Sequence, residues 1–481
     1  MKIAKKTKVC FVSGKFNVIH AGHLRLFRHA REIADRLVVG VFADDYPLAG
    51  DILVTEEDRI EGVRSNIWVD EVVLVTDIEK IVSTLKPDIV LKGREHEKAE
   101  NLEESTVSKY GGVLRFAAGD ARLSSSTLIQ AETNRESKAL VTDNDFLRRH
   151  NLSRDSVAGL VESVSCIKTL VIGDLIVDRY VDCQPVGLSA EDPTVVVSPL
   201  AIKSFIGGAG IVAAHAAHLG AQATLVSIRG DDDIGEEAVT SLDQLGVCTN
   251  IWVDGDRPTT RKTRYRASGK TLLRVNELRD HLADEQLLES LLSCILDMLP
   301  QFDLLIFSDF SYGLFTDTLI NEVTRAGKQL GITMAADSQS SSQIGDITKF
   351  QDVTLLTPTE REARLAVRDN KSGLVGISEK IRDVTGVRYV PITLASEGVF
   401  LHVSENEGSD WVDDQVPALN KNPADVSGAG DAFLVGTAMC LAAGADIWSS
   451  IYFGSLGSAC QISRIGNVPL SGQELIDKLY S

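Results

Sequence analysis

Short apolar runs alternate with amphipathic helical stretches along this chain, and this alternation restricts the fold more than any other feature. Five runs in the first quarter of the chain have the length of a strand: Val9–Val12, Leu37–Phe42, Val72–Val75, Ile89–Leu91 and Val113–Phe116. Strands that alternate with helices pair in parallel, because each helix carries the chain back to the same end of the sheet. The sequence therefore predicts an α/β fold built of βαβ units.

The alternation is interrupted once. Between Ala131 and Ser165 the chain becomes polar and charged, with a predicted helix opening at Ser153. A new strand, Thr169–Ile172, then begins a second and larger α/β unit. The 481 residues fit two domains of unequal size. We predict a first domain over 1–135, a partly helical linker over 136–165 and a second domain over 166–481.

The net charge of −19 argues against a polyanionic partner, so we expect neither nucleic acid nor an anionic membrane surface to be bound. The seven cysteines are scattered and contain no Cys-x-x-Cys pair, which argues against a disulfide framework and a thiolate zinc site. No apolar run reaches the roughly 20 residues that span a bilayer, and the start lacks a signal-peptide core. These features predict a cytoplasmic protein.

The first strand leads into a glycine-containing turn and then a helix predicted over Leu24–Ala34. Backbone N–H groups and the positive end of a helix dipole make such a turn an anion site. Lys15 adds charge, and His20 and His23 can both donate to phosphate oxygens. Alternatively, the histidines are ordinary polar residues of a surface turn. The context favours a phosphate site.

The run from Gly14 to His23 resembles the Gly-x-Phe-Asp-x-x-His-x-Gly-His signature of cytidylyltransferase-like nucleotidyltransferases, and the resemblance covers about the first 130 residues. Glu57-Asp58-Arg59 resembles the family's Glu-x-Arg element, and Leu91-Lys92-Gly93 its substrate-side strand end. Ser124-Ser125-Ser126-Thr127 resembles its second phosphate-binding helix start, although these hydroxyls could simply cap a helix. Asn17 stands where the family has Asp.

The resemblance implies attack of a sugar phosphate oxygen on the α-phosphorus of an NTP, which releases pyrophosphate. The cations expected to stabilise the developing charge are His20, His23, Lys15, Arg59 and Lys92. Mg²⁺ is expected on the triphosphate. The residues expected to bind nucleotide or phosphate are Gly14, Phe16, Gly22, Arg59, Ser125, Ser126 and Thr127, and Lys92 is expected on the substrate side.

A second glycine-rich helix start lies near the C-terminus, in the run from Asp425 to Asp431. Gly428, Ala429 and Gly430 can present N–H groups to a phosphoryl group, and Asp431 can take a proton from an attacking hydroxyl. Close helix packing is the alternative reason for such glycines.

This second run resembles the signature of ribokinase-like (phosphofructokinase-B) sugar kinases, and further segments follow that family's order. They are Gly173–Tyr180, Gly207–Gly210, Pro258–Arg264 and Ser308-Asp309. The resemblance implies that Asp431 is the base, that Gly428 and Gly430 form an anion hole, and that Asp174 and Asp178 hold sugar hydroxyls. It also assigns Gly207 and Gly208 to a hinge, Lys262 and Arg264 to a substrate lid, and Glu362 to the nucleotide side.

Departures from the kinase pattern concentrate in the same unit. Ile211 replaces a sugar-contacting Asn, Tyr312 and Gln339 replace lysines, Thr359 replaces the Asn of an Asn-x-x-Glu element, and Ala395 replaces a Gly. Either the acceptor differs from the family's, or this unit has kept binding and lost catalysis. The complete Asp425–Asp431 run favours activity.

Together the halves resemble the bifunctional heptose-7-phosphate kinase and heptose-1-phosphate adenylyltransferases of lipopolysaccharide-core biosynthesis, with the domain order reversed. The resemblance implies a Rossmann-like transferase domain followed by a larger ribokinase-like α/β domain with a small β lid. It implies ADP-heptose synthesis with ATP, Mg²⁺ and a sugar phosphate, and we expect a homodimer. Two alternatives stay open. One is a glycerol- or alditol-phosphate cytidylyltransferase, using CTP, fused to a divergent kinase. The other is a transferase with a non-catalytic kinase-like regulatory or dimerisation module.

Overall fold

The computed structural model describes residues 7–17, 19, 21–46, 54–93, 101–117, 144–189, 191–192, 194–267, 270–339, 345–404 and 412–480. The chain divides into two compact units. Their bounds are Met1–Ser137, Asp369–Glu379 and His402–Gln415 for the first, and Lys138–Arg368, Lys380–Leu401 and Val416–Ser481 for the second.

The first unit contains a five-stranded parallel sheet in the order β3-β2-β1-β4-β5. Its strands are β1 (Val9–Gly14), β2 (Arg36–Phe42), β3 (Glu71–Val75), β4 (Ile89–Gly93) and β5 (Val113–Ala117). Its helices are α1 (Ala21–Ile33), α2 (Glu56–Arg64), α3 (Ile78–Leu85) and α4 (Leu102–Ser108). All five predicted strands are present, and α1 begins three residues before the predicted start.

Alternation along β1 divides this unit into two hydrophobic layers. Cys10 and Val12 face a core that includes Phe27 of α1, whereas Phe11 faces one that includes Val82 of α3. Helices therefore cover both faces of the sheet, as in a Rossmann-like fold. Because the strand order reverses between β1 and β4, their carboxyl ends flank the crevice where such sheets bind ligands.

The second unit opens with helices α5 (Asn144–Arg149) and α6 (Arg154–Val164). The predicted start at Ser153 is confirmed, because its side chain accepts from the Ser156 N–H while the Ser156 hydroxyl accepts from the Ser153 N–H. The central sheet is parallel, in the order β10-β9-β6-β13-β14-β15. Its strands are β6 (Lys168–Gly173), β9 (Gln222–Arg229), β10 (Cys248–Val253), β13 (Leu304–Asp309), β14 (Thr333–Ser338) and β15 (Leu355–Leu356).

A separate four-stranded lid sheet has the order β12-β11-β7-β8. Its strands are β7 (Leu175–Leu188), β8 (Val195–Gly208), β11 (Thr260–Ala267) and β12 (Lys270–Glu277). Three short strands, β16 (Ile392–Thr393), β17 (Val399–His402) and β18 (Asp413–Val416), form a third sheet. The fold is ribokinase-like, with an α/β body and a β lid.

The remaining helices are α7 (Ala209–His218), α8 (Asp233–Gln244), α9 (Glu285–Met298), α10 (Asp317–Leu330), α11 (Glu360–Ala366), α12 (Leu374–Thr385), α13 (Ala429–Ala442), α14 (Ile447–Gln461) and α15 (Gly472–Tyr480). Short 3₁₀ helices span Leu299–Gln301, Ile347–Lys349 and Ala395–Glu397. Helix α13 packs against β14 and α14 and is buried almost all round, which explains its run of small and apolar residues. None of the helices in the described ranges is both long and apolar enough to cross a membrane.

Candidate active sites

In the first unit, the loop that follows β1 is folded back on itself. Phe16 has a φ of 54° and is 4% exposed, and its ring meets the His23 ring edge-on at 4.9 Å. This contact holds the His23 ring at the first turn of α1, where N–H groups lack helical partners. Gly14 ends β1, and Lys15 follows it directly. The predicted phosphate loop therefore leads from a strand end into a helix N-terminus.

Arg59 of α2 stabilises this loop through hydrogen bonds. Its side chain is fully buried and donates to the Val54 carbonyl (2.7 Å), the Lys15 carbonyl (2.7 Å) and Asp44 Oδ1 (2.6 Å). The hydrogen bond from Arg59 lowers the pKa of Asp44. All three guanidinium nitrogens thus have protein partners, so Arg59 fixes the backbone at Lys15. The sequence predicted a cation here but not these partners.

Lys92, near the end of β4, is held by two side chains. Its Nζ donates to Glu103 Oε2 at 2.9 Å and to Asn101 Oδ1 at 3.0 Å. Ser13 Oγ donates to the other oxygen of Glu103 at 3.3 Å. Sequence reasoning missed Glu103, because an acidic residue in the first turn of a helix is ordinarily solvated and only its burial marks it.

Two further residues of the predicted motif lie close to the start of α1. Gly22 is the second residue of α1, and Asn17 lies in the loop before it. His20 and the run Ser124–Thr127, with Ser125, Ser126 and Thr127, lie outside the described residues.

In the second unit, the run Asp425–Asp431 starts helix α13. Gly428 caps the helix with a φ of 75°, a conformation that a side chain would strain. Ala429 and Gly430 are the first two helical residues. An added Cβ at Gly430 would meet nothing within 4 Å, so the space over this helix start is open. Helix start and open space together suit an anionic group.

Asp431 lies in the first turn of α13 and is 6% exposed. Gln339, just after β14, donates from Nε2 to Asp431 Oδ1 at 2.9 Å. Burial first, and the Asp178 carboxylate second, raise the pKa of Asp431 to about 7, while Lys262 and the Gln339 hydrogen bond oppose the rise. Such a carboxyl group exchanges protons near neutral pH, as a general base requires.

Asp174 follows β6 and is buried beside the end of β13. Its Oδ2 accepts from the Phe310 N–H at 2.8 Å and from the Tyr312 N–H at 3.5 Å. Burial first, and Asp309 second, raise the pKa of Asp174. Gly208 has a φ of 56°, and a Cβ there would lie 2.3 Å from the Asp174 carbonyl, so only glycine permits this approach of β8.

Asp178 on β7 pairs with Arg264 on β11 at 2.5 Å and accepts from Asn467 Nδ2 at 3.0 Å. Gly207 lies against it, since a Cβ at Gly207 would come within 2.4 Å of Asp178 Oδ2. The ion pair joins the neighbouring lid strands β7 and β11 through their side chains.

Tyr180, also on β7, links the lid to the glycine-rich run. Its hydroxyl donates to Asp425 Oδ2 at 2.8 Å and lies 3.1 Å from Ser427 Oγ, and burial raises its pKa to about 12. The Arg264 guanidinium lies over its ring at 5.2 Å. Sequence reasoning missed this link, because the partners are 245 residues apart.

Lys262 on β11 is 4% exposed, and its ammonium lies 4.5 Å from the Phe310 ring centre and 5.3 Å from that of Tyr312. An ammonium over aromatic rings is stabilised by their quadrupoles. Tyr312, which stands where the resembled family has a lysine, thus helps to seat a different lysine.

The other departures have structural roles. Ile211 is fully buried in α7, and Ala395 has a φ of 51°, which glycine adopts more readily. Thr359 and Glu362 form a capping box at the start of α11, in which Glu362 Oε2 accepts from the Thr359 N–H (2.9 Å) and hydroxyl (2.8 Å). Glu362, predicted to lie on the nucleotide side, is thus tied to its own helix.

Comparison with known proteins matches both units to family models. Residues 167–471 match the pfkB family of carbohydrate kinases, and residues 11–131 match a cytidylyltransferase-like family. The chain is 32% identical over 316 residues to the "Bifunctional protein HldE" of Rhodopseudomonas palustris, covering 64% of this chain and 63% of that protein. It is 30% identical over 326 residues to the protein of the same name from Bradyrhizobium diazoefficiens, covering 66% and 64%.

Solved structures agree on the fold. Escherichia coli phosphofructokinase-2 in complex with substrates and products aligns with a TM-score of 0.54 at 17% identity, covering 65% of this chain and 98% of that one. Arabidopsis thaliana ribokinase complexed with ribose and ATP aligns with a TM-score of 0.51 at 18% identity, covering 65% and 99%. The chain spans slightly less than two thirds of the length of the two curated relatives named above.

Proposed function

Since the chain belongs to the pfkB family of carbohydrate kinases, we propose that its second unit phosphorylates a sugar with ATP. We propose further that its first unit joins the resulting sugar 1-phosphate to a nucleotide. The observation that carries the proposal is Asp431: a buried carboxyl group with a pKa of about 7 in the first turn of a glycine-rich helix.

In the kinase step, a sugar hydroxyl oxygen attacks the γ-phosphorus of MgATP, its proton passes to Asp431, and ADP leaves. The N–H groups at Gly428–Gly430 would face the transferred phosphoryl group. Asp174 accepts its two backbone hydrogen bonds at Oδ2, and we assign Oδ1 to a sugar hydroxyl. Mg²⁺ would enter as part of the nucleotide substrate, on its phosphate oxygens.

In the transferase step, an oxygen of the sugar 1-phosphate attacks the α-phosphorus of the NTP, and pyrophosphate leaves. His23 and Lys15 lie at the helix start that would meet the triphosphate, and we assign the same role to His20. Lys92 would meet the acceptor phosphate. Arg59 acts indirectly, because it fixes the loop that carries Lys15.

For the substrate we propose heptose 7-phosphate and ATP, which gives ADP-heptose for lipopolysaccharide synthesis. The bifunctional relatives and the matching of both units support this choice. A cytidylyltransferase that acts on an alditol phosphate is the alternative, and turnover of ATP against CTP separates the two. We also propose a cytoplasmic homodimer. Apolar side chains exposed on the lid strands support self-association: Val186, Leu188, Val195, Leu200 and Ile202.

The test reads ADP and pyrophosphate release separately, for each NTP and a panel of sugar phosphates. We expect Asp431→Ala to abolish ADP release and spare pyrophosphate release from supplied sugar 1-phosphate. We expect His23→Ala to do the reverse. Matched controls are Asp297→Ala, an exposed aspartate on α9, and His29→Ala, six residues further along α1.

Three results would contradict the proposal. Unchanged sugar phosphorylation by Asp431→Ala would show that Asp431 is not the base of the kinase step. Absence of ADP release by the wild type with every sugar phosphate would leave the kinase-like unit as a non-catalytic binding module, the alternative that Ile211, Tyr312 and Gln339 support. Pyrophosphate release retained by His23→Ala would remove the first site.

A further inference from the structure

A buried ionic cluster lies beside the proposed transferase site. Glu103 of α4 is 2% exposed and bridges two strand ends: Ser13 Oγ donates to Oε1 (3.3 Å) and Lys92 Nζ donates to Oε2 (2.9 Å). Asn101 Oδ1 accepts a second hydrogen bond from Lys92 at 3.0 Å. The side chains of Lys92 and Glu103 are 11% and 3% exposed.

Burial of this pair needs a reason. Removing two charges from water costs several kcal/mol per ion, and their attraction rarely does more than offset that cost. The next residue, Glu104, shows the solvated arrangement typical of a short surface helix, because its side chain is exposed. Stability alone therefore gives little reason for Glu103 to be turned inward.

The position of the cluster points to the ligand crevice. Strands β1 and β4 are neighbours with Val12 opposite Leu91, so Ser13 and Lys92 occupy the next register position at the carboxyl ends of both strands. The strand order of the sheet reverses between these two strands, and α/β sheets bind their ligands at such a point. Glu103 thus joins the carboxyl ends of β1 and β4, next to the proposed transferase site.

We propose that Glu103 is a positioning residue of the transferase: it holds the Lys92 ammonium at the place where the acceptor's phosphate group binds. This inference rests on the proposed function of the first unit. An ammonium group has three donors. Among the described residues, Asn101 and Glu103 accept from two of them, and we assign the third to a phosphate oxygen. A lysine on a flexible four-carbon stem otherwise loses rotamer freedom when it binds substrate, and the carboxylate removes that freedom beforehand.

The test variant is Glu103→Gln, which keeps the size and hydrogen-bonding shape but removes the charge. The variant loses the charge-assisted hydrogen bond that fixes the Lys92 ammonium. We therefore expect the KM for the sugar 1-phosphate to rise roughly tenfold, with little change in the KM for the NTP. Glu104→Gln, the same change at the exposed neighbour, is the control and should match the wild type.

A double-mutant cycle separates positioning from a general structural role. If Glu103 acts through Lys92, then Glu103→Gln adds nothing in the Lys92→Gln background, whereas a structural role gives additive losses. Equal acceptor KM values for Glu103→Gln and wild type, or full additivity in the cycle, overturn the inference and leave the proposed function standing.

A measurement without turnover covers the case in which the proposed function fails. Acetic anhydride acylates accessible amines, and mass spectrometry follows the Lys92 peptide. We expect Glu103→Gln to raise the Lys92 labelling rate at least about fivefold, as expected when a paired ammonium is released, and Glu104→Gln to leave it unchanged. Unchanged labelling overturns the inference directly. If the wild type releases no pyrophosphate with any substrate pair, the proposed function is overturned. A faster labelling of Lys92 in Glu103→Gln than in the wild type would still support the Glu103–Lys92 arrangement.

Discussion

Gln339 controls the charge next to the proposed base. It donates a hydrogen bond to Asp431 where the resembled kinases carry a lysine, so a neutral amide replaces an ammonium. With a pKa of about 7, Asp431 is protonated and inactive as a base at low pH, and kinase kcat/KM should rise through about pH 7. We expect Gln339→Lys to lower the pKa of Asp431 by one unit or more, because a nearby cation favours the carboxylate. The pH profile of ADP release measures this shift.

The matched control is Gln339→Met, which removes the hydrogen bond without adding charge. It should shift the profile in the opposite direction, toward higher pH, since the hydrogen bond from Gln339 holds the pKa of Asp431 down. A profile that does not move in Gln339→Lys would show that another group titrates in the wild type.

Individual cations illustrate how far the sequence could be read. The first motif predicted positive charge at Lys15, and the family resemblance added Arg59 and Lys92. They could not show that Arg59 donates to Asp44 and two carbonyls, or that Lys92 is paired with Glu103. The partner of a long side chain depends on tertiary position, which local sequence does not encode. The resemblance pointed to a site, and the structure shows that Arg59 and Lys92 already have protein partners.

Strands were easier to predict than the ends of helices. The apolar runs coincide with β1 to β5, and at the central strands β1, β2 and β4 the reason is that a strand buried on both faces needs a continuous apolar stretch. Helix α1 begins at Ala21 and not at Leu24, since low-propensity residues such as Gly22 are tolerated in a first turn. The long lid strands β7 and β8 were not predicted as such, because their outer residues alternate less clearly and many are exposed.

Helix α11 offers a test of the role of Glu362. The capping box joins Thr359 and Glu362 reciprocally, so Thr359→Ala should lower the free energy of unfolding by about 1 kcal/mol. If Glu362 serves its own helix, the KM for ATP should stay within error of the wild type. Denaturant unfolding and ADP release measure the two effects. A raised KM for ATP at unchanged stability would instead restore Glu362 to the nucleotide site.

On the scale of the whole molecule, the distribution of charge and the two separate cores are compatible with two proposed anion sites in an acidic chain. The net charge of −19 repels polyanions from the surface as a whole. Lys15 in the first unit and Lys262 in the second provide local positive charge, whereas Lys92 and Arg264 are each paired with a carboxylate, Glu103 and Asp178. Each unit has its own sheet and its own buried core. Each can therefore hold its site together without the chemistry of the other.

This independence predicts that the two steps can be divided between two protein molecules. Under the proposed function, Asp431→Ala lacks the kinase step and His23→Ala lacks the transferase step, so neither alone should convert sugar phosphate to nucleotide sugar. A mixture of the two variants should restore conversion, because the sugar 1-phosphate made by one can diffuse to the other. The rate should rise with the concentration of Asp431→Ala until the kinase step limits it. Chromatography of the nucleotide sugar measures the yield.

The control is the double variant Asp431→Ala/His23→Ala, which should yield no nucleotide sugar at any concentration. If each single variant keeps its remaining activity but the mixture yields no nucleotide sugar, the intermediate passes within one molecule and the two sites are not independent.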